Sequence, residues 1–257
     1  MSKRSFLIVG NWKMNPITAS EARSIISGIK KAASELSNTI SVICPPFLYL
    51  SLMKPSEKVL LGAQDAFWEM NGARTGEISA EMVNNAGAQY VILGHSERRV
   101  LGDTEEIINK KIVSAIRAGL SPIVCVGESV RDEHGTYFEF IKNQIHAVLS
   151  KVKRGDMKKV VIAYEPLWAI GKSDVEAATP AIVHEMSIFI RKVIADLYDQ
   201  NSASSVKVLY GGSVSARNAH DFLKESNVNG LLVGRDSLNA KNFGEILAIA
   251  ESVGNSK

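Results

Sequence analysis

Eight short apolar runs, spaced along the whole of a 257-residue chain, constrain its fold more than any other feature. They are Phe6–Val9, Ile40–Cys44, Val59–Ala63, Tyr90–Leu93, Pro122–Val126, Val160–Tyr164, Val206–Leu209 and Gly230–Val233. Each is too short for a helix, and most are apolar throughout rather than alternating. Strands covered on both faces, as in a parallel sheet, read this way. Helical patterns lie between the runs. Thr18 and Glu21 in TASEARSIISGIKKAASEL form a capping box ahead of an apolar stripe. Asp103 and Glu106 give the same kind of start to DTEEIINKKIVSAIRAG, which Gly119 ends. TYFEFIKNQIHAVLSKV, TPAIVHEMSIFIRKVIADLY, SARNAHDFLKES and NAKNFGEILAIAESV follow. SAEMVNNAG and PFLYLSLM are shorter helical stretches before the fourth and third runs.

Strands alternating with helices imply parallel strands joined by crossover helices. A closed eight-stranded barrel and an open doubly wound sheet compete at this length. No Gly-x-Gly-x-x-Gly follows the first run, which weakens the dinucleotide-binding open sheet, and no Pro/Ser/Gly-rich linker divides the chain. The pattern favours an α/β fold, one parallel (β/α)8 barrel, with residues 1–257 as a single domain.

Composition narrows the function classes. The chain is 46% hydrophobic, which suffices for a substantial core. Its net charge of +3 comes from interleaved signs, unlike the basic footprint of a dedicated nucleic-acid binder. Apolar runs are strand-sized, so no membrane span is expected. MSKRSFLIVGNWK lacks the apolar length and small-residue cleavage site of a signal peptide, which argues for the cytoplasm. Cys44 and Cys125 lie far apart with no metal-ligand spacing and read as reduced, buried thiols.

Chemistry in such barrels is built at the C-terminal ends of strands. The eight runs lead into GNWKMN, CPPF, AQDAF, GHSERR, GES, EPLW, YGGS and VGRDS. His95, Glu128 and Glu165 follow separate strands with no His-x-His or His-x-x-x-His pair, which argues against a metal site. Lys13, just beyond the first strand, keeps a Schiff-base aldolase in play. Apart from that, the ends supply a base, a neutral hydrogen-bond donor, a fixed cation, and two glycine-containing loops on the last two strands. In barrels that last pair is a common phosphate site, because backbone N–H groups can surround the anion.

GNWKMN, GHSERR, AYEPLWAIG, YGGSV and LLVGRDSL resemble the successive signatures of the triosephosphate isomerase family, as do CVGES and NGARTGEISAEM. They stand in the family's order over nearly the whole chain. The resemblance implies a barrel that needs no cofactor, is usually a homodimer, and interconverts dihydroxyacetone phosphate and D-glyceraldehyde 3-phosphate through an enediolate, in glycolysis and gluconeogenesis. It implies catalytic roles for Glu165 as the base and His95 as a neutral electrophile. Lys13 and Asn11 serve the developing oxyanion and the phosphate. Glu97 positions Lys13 or relays a proton, unless it simply pairs with Arg98 or Arg99. The substrate cradle maps to Asn11, Lys13, Gly171, Ser213, Gly234 and Arg235. A lid maps to Pro166, Leu167, Trp168, Ala169, Ile170 and Gly171, with Ile170 and Leu232 keeping the base in apolar surroundings. Glu128 reads as structural, holding loops beneath the site. NGARTGE resembles a protruding loop that enters a partner subunit and carries Thr75 to its active site.

Two features depart from the family pattern. The stretch KSDVEAATP after the lid is longer than usual, and Arg235 stands where the family has a second glycine. An aromatic more often occupies the position of Arg74. Two other functions compete: a different sugar-phosphate enzyme on the same barrel, and an idle barrel used as a binding partner. The first would not need Glu165, His95 and Lys13 together, and the second is expected to lose a catalytic group.

Overall fold

The computed structural model describes residues 5–169 and 178–256. Within them the chain alternates strand and helix from end to end. The strands are β1 (Leu7–Asn11), β2 (Ile40–Cys44), β3 (Val59–Ala63), β4 (Tyr90–Leu93), β5 (Ser121–Val126), β6 (Val161–Tyr164), β7 (Lys207–Tyr210) and β8 (Gly230–Val233). The helices are α1 (Ala19–Ala33), α2 (Phe47–Leu50), α3 (Ala80–Asn85), α4 (Ser96–Val100), α5 (Glu105–Arg117), α6 (Thr136–Leu149), α7 (Pro180–Leu197), α8 (Gln200–Ser205), α9 (Ala219–Glu225) and α10 (Ala240–Asn255). The strands close into a parallel barrel in chain order. Leu7 faces Ile40 on one side and Gly230 on the other, so β8 returns to pair with β1. The open doubly wound sheet is thereby excluded.

Two apolar layers follow from the strand period of two. Leu7, Val9, Val42, Ile123, Cys125, Val161, Ala163 and Leu209 point into the barrel, while Ile8, Ile43, Val124, Ile162 and Val208 pack outward against the helices. This parity positions the site. Continuing the inward series to the last residue of β1 and one residue past β6 reaches Asn11 and Glu165 at the barrel mouth.

Most of the helix starts carry a side-chain cap. Thr18 accepts from Glu21 N–H, as the sequence predicts. The start of α5 differs from expectation. Thr104, with extended backbone, caps it by accepting from Ile107 N–H. Asp103 is instead consumed by an ion cluster: its carboxylate lies 2.7 Å from Lys111 Nζ and 3.6 Å from Arg98 Nε. Lys111 is 2% exposed and also lies 2.8 Å from Asp65. Burial pushes the Asp65 carboxyl up, and the Lys111 charge opposes it. A buried ammonium needs such partners more than a helix needs a second cap. Helix α8 has no counterpart among the helical stretches read from sequence; Asp199 caps it through Ser202 N–H.

Candidate active site

A cleft of about 730 Å³ opens at the C-terminal ends of the strands. Asn11, Lys13, His95, Glu165, Ser213, Gly234 and Arg235 all line it. The sequence scattered these residues over five strand ends.

Glu165 is 2% exposed. Its backbone N–H donates to Val126 O at 2.8 Å, which continues the β5–β6 ladder one residue beyond the strand. Close approach by glycines makes room for it. A Cβ at Gly127 would stand 1.8 Å from Glu165 O, and one at Gly211 would stand 2.9 Å from Glu165 Cγ. The same Cβ at Gly211 would lie 3.4 Å from Leu232 Cδ2, and Leu232 lines the cleft together with Glu165. Cys125 lines the barrel beneath it. Burial, and after it the Glu165 charge, push this thiol well above its ordinary range, so it stays protonated.

His95 Nε2 lies 3.3 Å from Glu165 Oε1. Its Nδ1 accepts from Glu97 N–H at 3.2 Å, in the first turn of α4. An acceptor Nδ1 leaves the proton on Nε2, pointing into the cleft. Gly94, at φ +72, turns the chain out of β4 to make this possible. Arg99 holds that turn, donating to Gly94 O at 2.7 Å and to Cys125 O at 3.1 Å while pairing with Glu105 at 2.6 Å.

Lys13 sits at φ +53, a left-handed conformation that a residue with a Cβ adopts at a cost. Its N–H donates to Asn11 Oδ1 at 3.1 Å. Its carbonyl accepts from Gln64 Nε2 at 2.8 Å, and the same amide reaches Cys44 O at 2.9 Å. Its ammonium pairs with Glu97 at 2.6 Å. Arg98 and Arg99 are engaged elsewhere, with Asp65 and Asp103 and with Glu105, so the alternative pairing with Glu97 is not the one adopted. Gln64 is a positioning residue that sequence reasoning missed. Its only signal was its place at the end of β3.

Glu128 is structural in the manner expected. Its Oε1 accepts from Tyr164 OH at 2.8 Å and from Trp168 Nε1 at 2.9 Å, and its carbonyl accepts from Leu167 N–H at 2.9 Å. Burial, and then the Glu128 charge, push the Tyr164 phenol up, which keeps it a donor. Pro166 and Ala169 are buried, Leu167 is exposed, and residues 167–169 form one 3₁₀ turn. Ser213 Oγ donates to Ala169 O at 3.0 Å, tying this segment to the loop after β7. Ile170, Gly171 and residues 172–177 of the altered stretch KSDVEAATP lie outside the described residues.

Gly234 and Arg235 begin a 3₁₀ turn, Arg235–Leu238, beside the cleft. Arg235 is not among the residues with positive φ, and its side chain is exposed. Thr75 is exposed in the loop after β3, where Arg74 pairs with Glu69 at 2.8 Å and lies over the Phe67 ring. No group of His, Cys, Asp and Glu able to hold a metal ion occurs among the described residues.

A sequence model of the family described as triosephosphate isomerase matches residues 6–250. The chain is 45% identical over 250 residues to the triosephosphate isomerase of Thermoanaerobacter pseudethanolicus, covering 94% of this chain and 98% of that one. It is 43% identical over 249 residues to that of Endomicrobium trichonymphae, covering 95% and 98%. It is 40% identical over 253 residues to that of Geotalea uraniireducens, covering 96% and 100%.

Proposed function

The chain belongs to the triosephosphate isomerase family, and from the geometry of its cleft we propose how its own residues carry the reaction. The enzyme interconverts dihydroxyacetone phosphate and D-glyceraldehyde 3-phosphate, a step of glycolysis. Glu165 removes the proton from the carbon beside the carbonyl and returns it to the neighbouring carbon. The His95 Nε2–H donates to the carbonyl oxygen and then serves its neighbour, so that both oxygens exchange protons through one imidazole. The Lys13 ammonium and the Asn11 amide offset the charge of the enediolate and reach toward the phosphate. The backbone N–H groups of Ser213, Gly234 and Arg235, with Gly171, receive the phosphate. Pro166 to Gly171 acts as a lid that keeps water from the enediolate.

The observation that carries this reading is the 3.3 Å approach of His95 Nε2 to the buried Glu165 carboxylate. A base and a donor at one spot in a cleft that also holds a lysine suit proton transfer next to a carbonyl. A coupled assay with dihydroxyacetone phosphate tests it, with a Glu165→Ala variant as control. Glyceraldehyde 3-phosphate formed by the wild type and lost in the variant supports the assignment. Equal turnover by both would remove Glu165 from its role.

We also read the chain as a single barrel domain that forms a homodimer in the cytoplasm. Met14, Ile17, Leu48, Val100 and Leu101 are exposed apolar side chains in the segments that follow β1, β2 and β4. Apolar exposure on this scale suits a subunit interface. Sedimentation at the mass of two subunits supports it, and a monomer at micromolar concentration overturns it. Cys44 and Cys125 are free and buried, which suits a reducing compartment. Among the described residues no helix is long and apolar enough to cross a membrane.

A further inference from the structure

Helix α6 buries a stripe formed by Tyr137, Ile141, Ile145, Val148 and Leu149, and Gln144 lies within it. Gln144 is 6% exposed. A buried amide in such a stripe needs a partner. Its Oε1 accepts from the N–H of Gly127 at 2.8 Å, one residue past the end of β5. No backbone oxygen among the described residues receives that N–H. Gly127 in turn touches the residue that carries the base. A Cβ on it would stand 1.8 Å from Glu165 O and 2.5 Å from Glu165 C, so the two backbones meet with no side chain between them. The preceding peptide adds a second hold, since Val126 O accepts from Glu165 N–H at 2.8 Å. A cavity of about 180 Å³ adjoins this contact, and Gly127, Gln144, Phe140 and Glu165 all line it. Close packing therefore does not back Gly127 on every side. The hydrogen bond from Gln144 holds it where packing is missing.

We propose that Gln144 is a positioning residue for the reaction, holding Gly127 against the backbone of Glu165 and so fixing where the carboxylate stands in the cleft. The proposal rests on Glu165 acting as the base. The chain of contacts is short. It runs from an amide on α6, through one peptide beyond β5, to the Glu165 carbonyl. Removing the acceptor leaves a buried N–H unsatisfied. Gly127 then shifts toward the cavity to find another partner, and the Glu165 backbone, in contact with it, follows. The carboxylate stands 3.3 Å from His95 Nε2, and a misplacement of about 1 Å is enough to cost much of the rate. The phosphate cradle lies on the loops after β7 and β8, which Gln144 does not touch. Chemistry should suffer and phosphate binding should not. In the sequence Gln144 is only a polar exception in an apolar period, and its target lies 17 residues away.

Gln144→Met keeps the length of the side chain and removes the acceptor, while Gln144→Glu keeps both. In a coupled assay with dihydroxyacetone phosphate, Gln144→Met should lose ~10-fold in kcat with little change in KM. Affinity for 2-phosphoglycolate, a carboxylate that resembles the enediolate, should fall by a similar factor, because tight binding of such a compound depends on the placed base. Affinity for inorganic phosphate should not change. Gln144→Glu should recover most of the loss. A merely structural glutamine gives a different pattern: a lower melting temperature with wild-type kcat and wild-type 2-phosphoglycolate affinity in the folded enzyme. That result overturns the proposal, and so does an equal loss in both variants, since the acceptor would then not matter. Glu165→Ala is assayed alongside. If it turns over as the wild type does, the assignment of the base fails and the proposal with it. If it is inactive while Gln144→Met is unimpaired, the base stands and only the role of Gln144 fails. Should Gln144→Met not fold, Gln144→Asn decides, since it withdraws the acceptor by one methylene, about 1 Å. It should lower kcat and 2-phosphoglycolate affinity in the same direction, and wild-type values of both overturn the idea.

Discussion

The Nε2 of His95 and the Oε1 of Glu165 stand 3.3 Å apart across the mouth of the barrel. That spacing leaves room for neither residue to be shortened. Glu165→Asp withdraws the carboxylate by one methylene, about 1 Å, and a misplacement of that size costs on the order of 10²-fold in rate. The fall should appear in kcat, with KM nearly unchanged, because phosphate binding is untouched. Steady-state kinetics in both directions check this.

Gly211 sets the same distance from behind. A methyl there would stand 2.9 Å from Glu165 Cγ, closer than side chains approach. Gly211→Ala should therefore push the base off its position and lower kcat by at least ~10-fold. Its fold should survive, since the crowding atom belongs to a side chain that can move. A Gly211→Ala enzyme with wild-type kcat means that the packing behind Glu165 is looser than its contacts indicate.

The bond from Ser213 Oγ to Ala169 O joins the loop after β7, at 3.0 Å, to the segment we propose as a lid. Ser213→Ala removes it. The expected result is a larger fraction of methylglyoxal among the products, because an enediolate less well covered loses phosphate to water. Hydrogen exchange in residues 166–169 should also be less protected by 2-phosphoglycolate than in the wild type.

Arg235 opens a 3₁₀ turn and exposes its side chain. Its backbone N–H can serve the phosphate as a glycine's would, while the guanidinium acts from the rim. Arg235→Gly should change KM only a few-fold, with kcat nearly kept. The difference should shrink as salt rises, since about 0.15 M salt already screens such a charge beyond about 8 Å. A salt-independent loss on the order of 100-fold would instead place the guanidinium on the phosphate itself.

At the opposite end of the barrel, Glu251 accepts from the N–H groups of Ser37, Asn38 and Thr39 at 2.9 to 3.2 Å. Burial alone would push its carboxyl up, but these N–H donors outweigh it and hold the carboxyl below its ordinary value of 4.5. A group lowered on folding adds stability above its unfolded pKa and loses it as pH falls through the folded one. Glu251→Gln should thus lower the melting temperature at pH 7. The gap from wild type should close as pH drops below about 4.5. A gap that stays constant with pH assigns the effect to packing.

The sequence made the barrel legible because each strand shows a run of apolar residues with no second interpretation, and the structure moves those ends by only a residue or two. Asp103 was misread because a cap and a buried counter-ion use the same carboxylate, and only the arrival of Lys111 decides between them. Helix α8 has no apolar stripe long enough to announce itself. The residues lining the cleft were legible through motifs, but the groups that aim them were not. Gln64 acts on the backbone of Lys13, whose left-handed turn exists only once β1, β2 and β3 lie side by side. Arg99 is similar, pinning two strand ends that are adjacent only in the folded barrel.

The pairing of β1 with β8 has a consequence for how the enzyme is made. Leu7 leaves the ribosome 223 residues before Gly230, its neighbour in the sheet. Until then a nascent chain carries an unpaired edge on β1 and a core open on one side, a state prone to wrong partners. Gly230 also fits only without a side chain, since a Cβ there would meet Leu7 O at 1.8 Å. Synthesis must therefore pass Gly230 before the seam can shut, and the growing polypeptide is exposed to wrong pairings throughout that interval.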